Sequence, residues 1–167
     1  MALGAVASCS MLLAGGLGFR LNETPSVPVG LWRVSAVAVL ERGRVVSFCP
    51  PATDVFLEAR RRGYLQRGAC PGELEPMLKV LAGLPGDEVL QTAEALFING
   101  RAVPHSKALP ADAEGRPLPA LESRRFVIRA GEGMFVGAHP RSFDSRYFGP
   151  LPLAAIEGEA RPILTAN

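Results

Sequence analysis

Apolar and polar positions change their period several times along the chain. The first 19 residues, MALGAVASCSMLLAGGLGF, are apolar and carry no charge. A helix that spans a bilayer needs about 20 such residues, so residues 1–21 are read as an N-terminal transmembrane anchor. A cleaved signal peptide would want a basic start, which is missing. Beyond the anchor the pattern breaks into short strand-like runs: LWRVSAVAVL at 31–40, RVVSF at 44–48, MLKVLAGL at 77–84, EVLQT at 88–92, ALFI at 95–98, RRFVIR at 124–129 and GMFVGA at 133–138, with AAIEGEARPIL as a closing strand. Turn signals separate them, among them Pro85-Gly86 and Asn99-Gly100. Only DVFLEARRRGYLQ at 54–66 has helical spacing, with Thr53 or Asp54 placed to cap it. The expected fold class is therefore mainly β, with one N-terminal transmembrane helix and one small inserted helix. The folded domain runs over 22–167, with a cysteine-flanked helical insertion at 49–76 and an irregular, proline-rich loop at 103–123.

Composition narrows this picture. The chain has 167 residues, is 48% hydrophobic and 20% charged, and has a net charge of +2. It is too apolar to be disordered and has no basic field that would suit nucleic acid. The run ARRRG at 59–63 has no aromatic residues interleaved and reads as a solvated helix face. Of three cysteines, Cys9 lies in the anchor. Cys49 and Cys70, each next to proline, remain as a disulfide or as two thiols; the disulfide, the preferred reading, places the domain in an oxidising compartment such as a periplasm. His105 and His139 show no ligand spacing, so no metal or cofactor is expected.

Three short segments carry chemistry. In TPSVP, Pro25 and Pro28 hold Ser26 in a stiff, extended segment; most such serines are loop residues, and a few are nucleophiles. In MLKVLAGL, Lys79 leaves an apolar wall of Met77, Leu78, Val80 and Leu81, where it snorkels, pairs with an acid, or is buried with a lowered pKa. In the last case it can take a proton from a serine. The third segment is SFDSRYFG at 142–149.

In their order, these segments resemble the nucleophile, lysine and Asp-Ser-Arg boxes of the signal peptidase I family of Ser-Lys serine peptidases. SVP followed by GLW, the FCPP…RGYL…CPG insertion and FING…VPHS are similar to its conjugative-transfer, TraF-type pilin-peptidase branch. The resemblance runs from Asn22 to Pro152. It implies Ser26 as nucleophile and Lys79 as general base, with the Ser26 N–H and the Thr24 hydroxyl as oxyanion donors. It implies Ser142 as a hydroxyl that orients the lysine, and Asp144 and Arg146 as a bracing pair that also reads as a plain structural salt bridge. GAH at 137–139 departs from the Gly-Asp-Asn that usually opens the third box. His139 reads as a loop residue and Asp87 as a turn residue, and Leu31 and Trp32 are expected at the membrane interface or lining the cleft. The implied function is a membrane-anchored serine endopeptidase that removes leader segments from an exported, pilin-like precursor with small residues near the cleavage site. The acyl group goes to water, or to an amine in a cyclising transpeptidation. The implied setting is the periplasmic face of a bacterial inner membrane, with the lipid bilayer as a second partner. A general signal peptidase of broad range fits less well with the short chain, the cysteine pair and SVP. A self-cleaving repressor would want a DNA-binding head. A non-enzymatic anchored β-domain would make the motif spacing a coincidence.

Overall fold

Alternation decides where the strands go. In the strand Met77–Gly83, Met77 and Leu81 enter the largest core cluster and Leu78 enters another, as a period of two requires. The computed structural model describes residues 18–119 and 123–166. Its strands are β1 (Phe19–Asn22), β2 (Gly30–Ser35), β3 (Val45–Phe48), β4 (Arg67–Cys70), β5 (Met77–Gly83), β6 (Glu88–Gln91), β7 (Leu96–Ile98), β8 (Arg101–Ala102), β9 (Arg124–Val127), β10 (Glu132–Val136), β11 (Leu151–Pro152) and β12 (Ile156–Thr165). Seven form one sheet in the order β1-β2-β12-β3-β5-β10-β11, and four form another in the order β8-β7-β6-β9. The fold is mainly β; the α-helices among the described residues are Asp54–Arg61 and the single turn Ser145–Phe148.

Three clusters hold these parts together. Phe48, Phe56, Leu74, Leu81 and Phe135 pack the helix against the larger sheet, with the Phe48 and Phe135 rings 4.5 Å apart. Val89, Leu96, Ile98, Ile128 and Met134 join the two sheets. Val27, Trp32, Leu78 and Ala160 form a third cluster, next in sequence to Ser26. The Cys49–Cys70 disulfide, with Cα atoms 5.4 Å apart, closes the insertion back onto the end of β3.

Several expectations change here. Residues 1–17 of the expected anchor lie outside the described residues, and its last part is not helical. Phe19–Asn22 is a strand paired antiparallel with β2, Leu21 opposite Leu31. Among the described residues no helix is long and apolar enough to cross a membrane. The insertion helix stops at Arg61, short of Gln66, because Gly63 takes a left-handed φ of 80° and its N–H turns back to Arg60 O, a glycine stop. The proline-rich loop carries its own small hairpin, in which Ala111 bridges Pro117 and the Leu118 N–H bonds Pro110 O. Trp32 reaches neither the interface nor the cleft. It is 2% exposed, and its indole N–H donates to Pro28 O.

Candidate active site

The Ser26 segment is built before any substrate arrives. Pro25 and Pro28 contribute no backbone donor, so the carbonyls of this turn need donors from elsewhere. Asn22 supplies them: its Nδ2 lies 2.7 Å from Thr24 O, 2.9 Å from Val27 O and 3.1 Å from Pro28 O. Trp32 braces the turn from below, and the Ala138 N–H donates to Ser26 O at 2.7 Å, tying the segment to the chain leaving β10. Ser26 is buried, with its hydroxyl directed inward to two partners.

One partner is Lys79. It stands in β5 between β3 and β10, is 4% exposed, and its Nζ lies 2.6 Å from Ser26 Oγ. Burial, the largest influence, lowers its pKa to about 8, and Arg146 pushes the same way; Asp144 and Glu75 oppose. Removing an ammonium from water disfavours the charged form. The amine is therefore readily neutral close to physiological pH.

The other partner is Ser142, whose Oγ is 3.1 Å from Ser26 Oγ. This differs from the expected role of orienting the lysine: the Ser142 hydroxyl meets the serine instead of the amine. The reason lies at Gly137. A Cβ there would fall 2.1 Å from Ser142 Oγ and 3.4 Å from Ser26 Cα. Only a glycine leaves room for the Ser142 loop to close onto Ser26.

Asp144 and Arg146 meet as a bidentate pair, both fully buried: Nε to Oδ1 and Nη2 to Oδ2 are each 2.8 Å. The Gly137 and Arg146 N–H groups also donate to the carboxylate. The rest of the guanidinium is spent on backbone carbonyls, those of His105, Lys107, Pro140, His139 and Ser142. Such a pair is tolerated in a core because every donor and lone pair is used. Its position fixes the 137–142 loop and the start of the proline-rich loop together.

Thr24 is exposed beside Ser26, and its hydroxyl donates to Asn22 Oδ1 at 3.2 Å; it would have to turn to meet an oxyanion. His139 is a loop residue, with Nδ1 accepting from the Arg141 N–H. Asp87 is more than a turn residue. It takes Arg42 bidentately, accepts from Leu84 N and Asn99 Nδ2, and is held at a pKa of about 2, chiefly by Arg42. Three contributors were missed in the sequence: Asn22, Gly137 and Glu75. An asparagine ahead of a proline-rich turn is a cue for a side-chain-capped turn; nothing local marked the other two. Among the described residues no cluster of His, Cys, Asp and Glu is arranged to hold a metal ion.

A cleft of about 610 Å³ opens over Ser26 and Lys79. One wall comes from the Tyr64–Gln66 segment after the insertion helix, another from the proline-rich loop, and the floor from β5 and Phe143.

Comparison with known proteins bears on this arrangement. The family model described as "Signal peptidase, peptidase S26" matches residues 1–165. A plasmid transfer protein TraF of Escherichia coli is 41% identical over 160 residues, 93% of this chain and 90% of that protein. A conjugal transfer protein TraF of Agrobacterium tumefaciens (strain 15955) is 41% identical over 165 residues, 97% of this chain and 92% of its own. A crystal structure of a signal peptidase I from Enterococcus faecalis aligns at 22% identity with a TM-score of 0.43, over 74% of this chain and 98% of its own.

Proposed function

Because the chain belongs to the peptidase S26, signal peptidase, family, we propose that it is a membrane-anchored Ser-Lys endopeptidase that removes the leader of an exported, pilin-like precursor. The site is set at the periplasmic face of a bacterial inner membrane. The observation that carries this reading is the 2.6 Å contact between the Lys79 amine and the Ser26 hydroxyl in a buried setting.

The steps follow from the geometry. Neutral Lys79 takes the Ser26 proton while the Ser142 hydroxyl donates to Ser26 Oγ and holds its lone pair toward the cleft. Oγ attacks the scissile carbonyl carbon. The negative charge that develops on the carbonyl oxygen is met by the Ser26 N–H and by Thr24 once its hydroxyl leaves Asn22. The tetrahedral species collapses, the leaving amine takes the proton from the Lys79 ammonium, and an acyl-enzyme remains. Lys79, neutral again, deprotonates water to release the acyl-linked leader, the mature chain having left as the amine. Where the acyl group is instead the mature chain's own C-terminal carbonyl, Lys79 deprotonates the amine at that chain's other end to close a ring. Asp144 and Arg146 touch neither reactant; they hold the loop that delivers Ser142.

Two features support the setting. The disulfide suits an oxidising compartment. At the corner where the apolar N-terminal run meets the sheet, Leu21, Leu31 and Leu164 are cross-strand neighbours. Leu21 is 57% and Leu164 75% exposed, an apolar row suited to a lipid surface.

The test is co-expression with the candidate pilin precursor, wild type against Ser26→Ala, read by intact mass. Wild type is expected to shorten the precursor and Ser26→Ala to leave it whole; a cyclic product lacks one water relative to the cleaved linear one. Processing that survives Ser26→Ala overturns the assignment.

A further inference from the structure

The two inserted segments do more than cover the cleft. The tail of the insertion helix and the proline-rich loop are bonded to each other across it. The Tyr64 hydroxyl donates to Asp112, and the Arg116 guanidinium donates to Asp112 and to Arg62 O. Arg62 Nη1 in turn donates to Pro117 O at 2.8 Å. The inner ends of both segments are fixed as well. The Tyr147 hydroxyl accepts from the Leu109 N–H at 2.9 Å, and the Phe143 ring lies 5.5 Å from Tyr64 and stacks on Tyr147. The charged groups of this wall are committed to one another: Arg62 to Glu58, Arg116 to Asp112 and Glu114. Beside the paired Arg62, Asp112 and Glu114, the wall turns four apolar side chains to the cleft: Tyr64, Leu109, Leu118 and Phe143 all line it and all are only half buried.

A site that takes only small side chains needs none of this. Half-buried aromatic and leucine side chains held rigid around a concave space are what a ligand pocket for a large apolar group consists of. Their remaining exposed surface is removed from water only when a substrate fills the space.

Building on the peptidase reading above, we infer that Tyr64, Leu109, Leu118 and Phe143 form a second side-chain subsite, which takes a large apolar residue of the precursor at a position other than those flanking the scissile bond. Small residues at the bond satisfy Ser26; this subsite selects among precursors that share them. A carboxylate or ammonium placed among these four side chains would be desolvated with little compensation, because Arg62, Arg116, Asp112 and Glu114 beside them are already paired. Discrimination against a charged residue should reach roughly tenfold or more, the lower end of what a single methylene is worth in an apolar pocket.

The experiment uses the full chain in detergent and a peptide set spanning the precursor's cleavage site. Each position is varied in turn through Leu, Phe, Ala, Glu and Lys, with kcat/KM read by mass spectrometry. One position outside the pair flanking the bond is expected to favour Leu or Phe over Glu by roughly tenfold or more. Leu118→Lys should reverse the order at that position, making the Glu peptide the better substrate. Tyr64→Phe keeps the ring and loses only the hydroxyl, so it should retain the apolar preference and guards against a variant that fails to fold. A flat scan with active wild-type enzyme, or a preference that Leu118→Lys leaves unchanged, overturns the subsite while the peptidase reading stands. Absence of cleavage of any peptide by wild type overturns both.

Discussion

The charge on Lys79 decides whether the proposed chemistry runs at all, and it can be titrated. An exposed lysine loses its proton near ~10.4. Burial in β5 brings Lys79 from 10.5 to about 8. That difference, 10.5 − 8 = 2.5 units, raises the neutral fraction roughly 300-fold at any pH well below 8. At pH 7 the neutral amine is present in about one molecule in ten, against about one in 3,000 for an unperturbed lysine. The observable is kcat/KM for a precursor peptide between pH 6 and 10. It should climb about tenfold per pH unit up to about 8 and level off above it. Lys79→Arg keeps the positive charge but holds it at every pH in that range, so the limb should vanish and the rate should fall by roughly a thousandfold or more. Glu75→Gln removes a carboxylate that favours the ammonium, so the limb should move to lower pH. An arginine variant within tenfold of wild type would refute the argument. So would a limb that stays in place, unchanged in shape, when Lys79 is replaced.

Three further outcomes are expected. Gly137→Ala puts a Cβ 2.1 Å from Ser142 Oγ and 2.5 Å from Ser142 Cβ; turnover should fall about a hundredfold, as for a misplacement of about 1 Å, with the circular dichroism spectrum unchanged. Asp87→Asn should cost roughly 1–2 kcal/mol in urea unfolding at pH 7, less than the full pKa shift because Arg42 is half exposed. Asp87 has a depressed pKa, so its contribution is present above ~4 and lost as pH falls toward 2, and the variant and wild-type curves should converge over that window. Replacing both Cys49 and Cys70 by serine should lower stability by about 2–4 kcal/mol in guanidinium unfolding, and dithiothreitol should lower wild type to match.

Part of the candidate site was legible in short local patterns. Alternation in β5 set Lys79 in an apolar wall and the prolines on either side held Ser26 extended, but the resemblance to the signal peptidase I boxes, not the local pattern, singled the two out. What escaped was set by approach between distant segments. Gly137 matters only because Ser142 packs into the space a side chain would take, and no local pattern records that. Asp87 looked like a turn residue because its partner Arg42 is 45 positions away. The chemistry of Trp32 suits an interface or a cleft wall, but Pro28 O and the cluster with Val27 and Leu78 claim it for the core. Phe19–Asn22 merged with the apolar run before it, since four residues are too few to reveal a strand period and only the pairing with β2 defines them. The hairpin at Pro110–Leu118 was hidden by its prolines, which sit where the bridge does not need their missing donors.

Arg146 holds the proline-rich loop by the carbonyl oxygens of His105 and Lys107, and Tyr147 holds it by the Leu109 N–H. Neither reads a side chain. The inner end of that loop is thus specified by main-chain groups, which leaves its side chains free to diversify there, while Asp112 and Arg116 tie the outer part through their side chains. Such a loop can change what its inner end displays without moving Ser26 and Lys79. A graft of residues 103–119 between relatives should carry a new specificity across as long as Arg62, Tyr64, Arg146 and Tyr147, the Asp112 and Arg116 of the loop, and its length are kept.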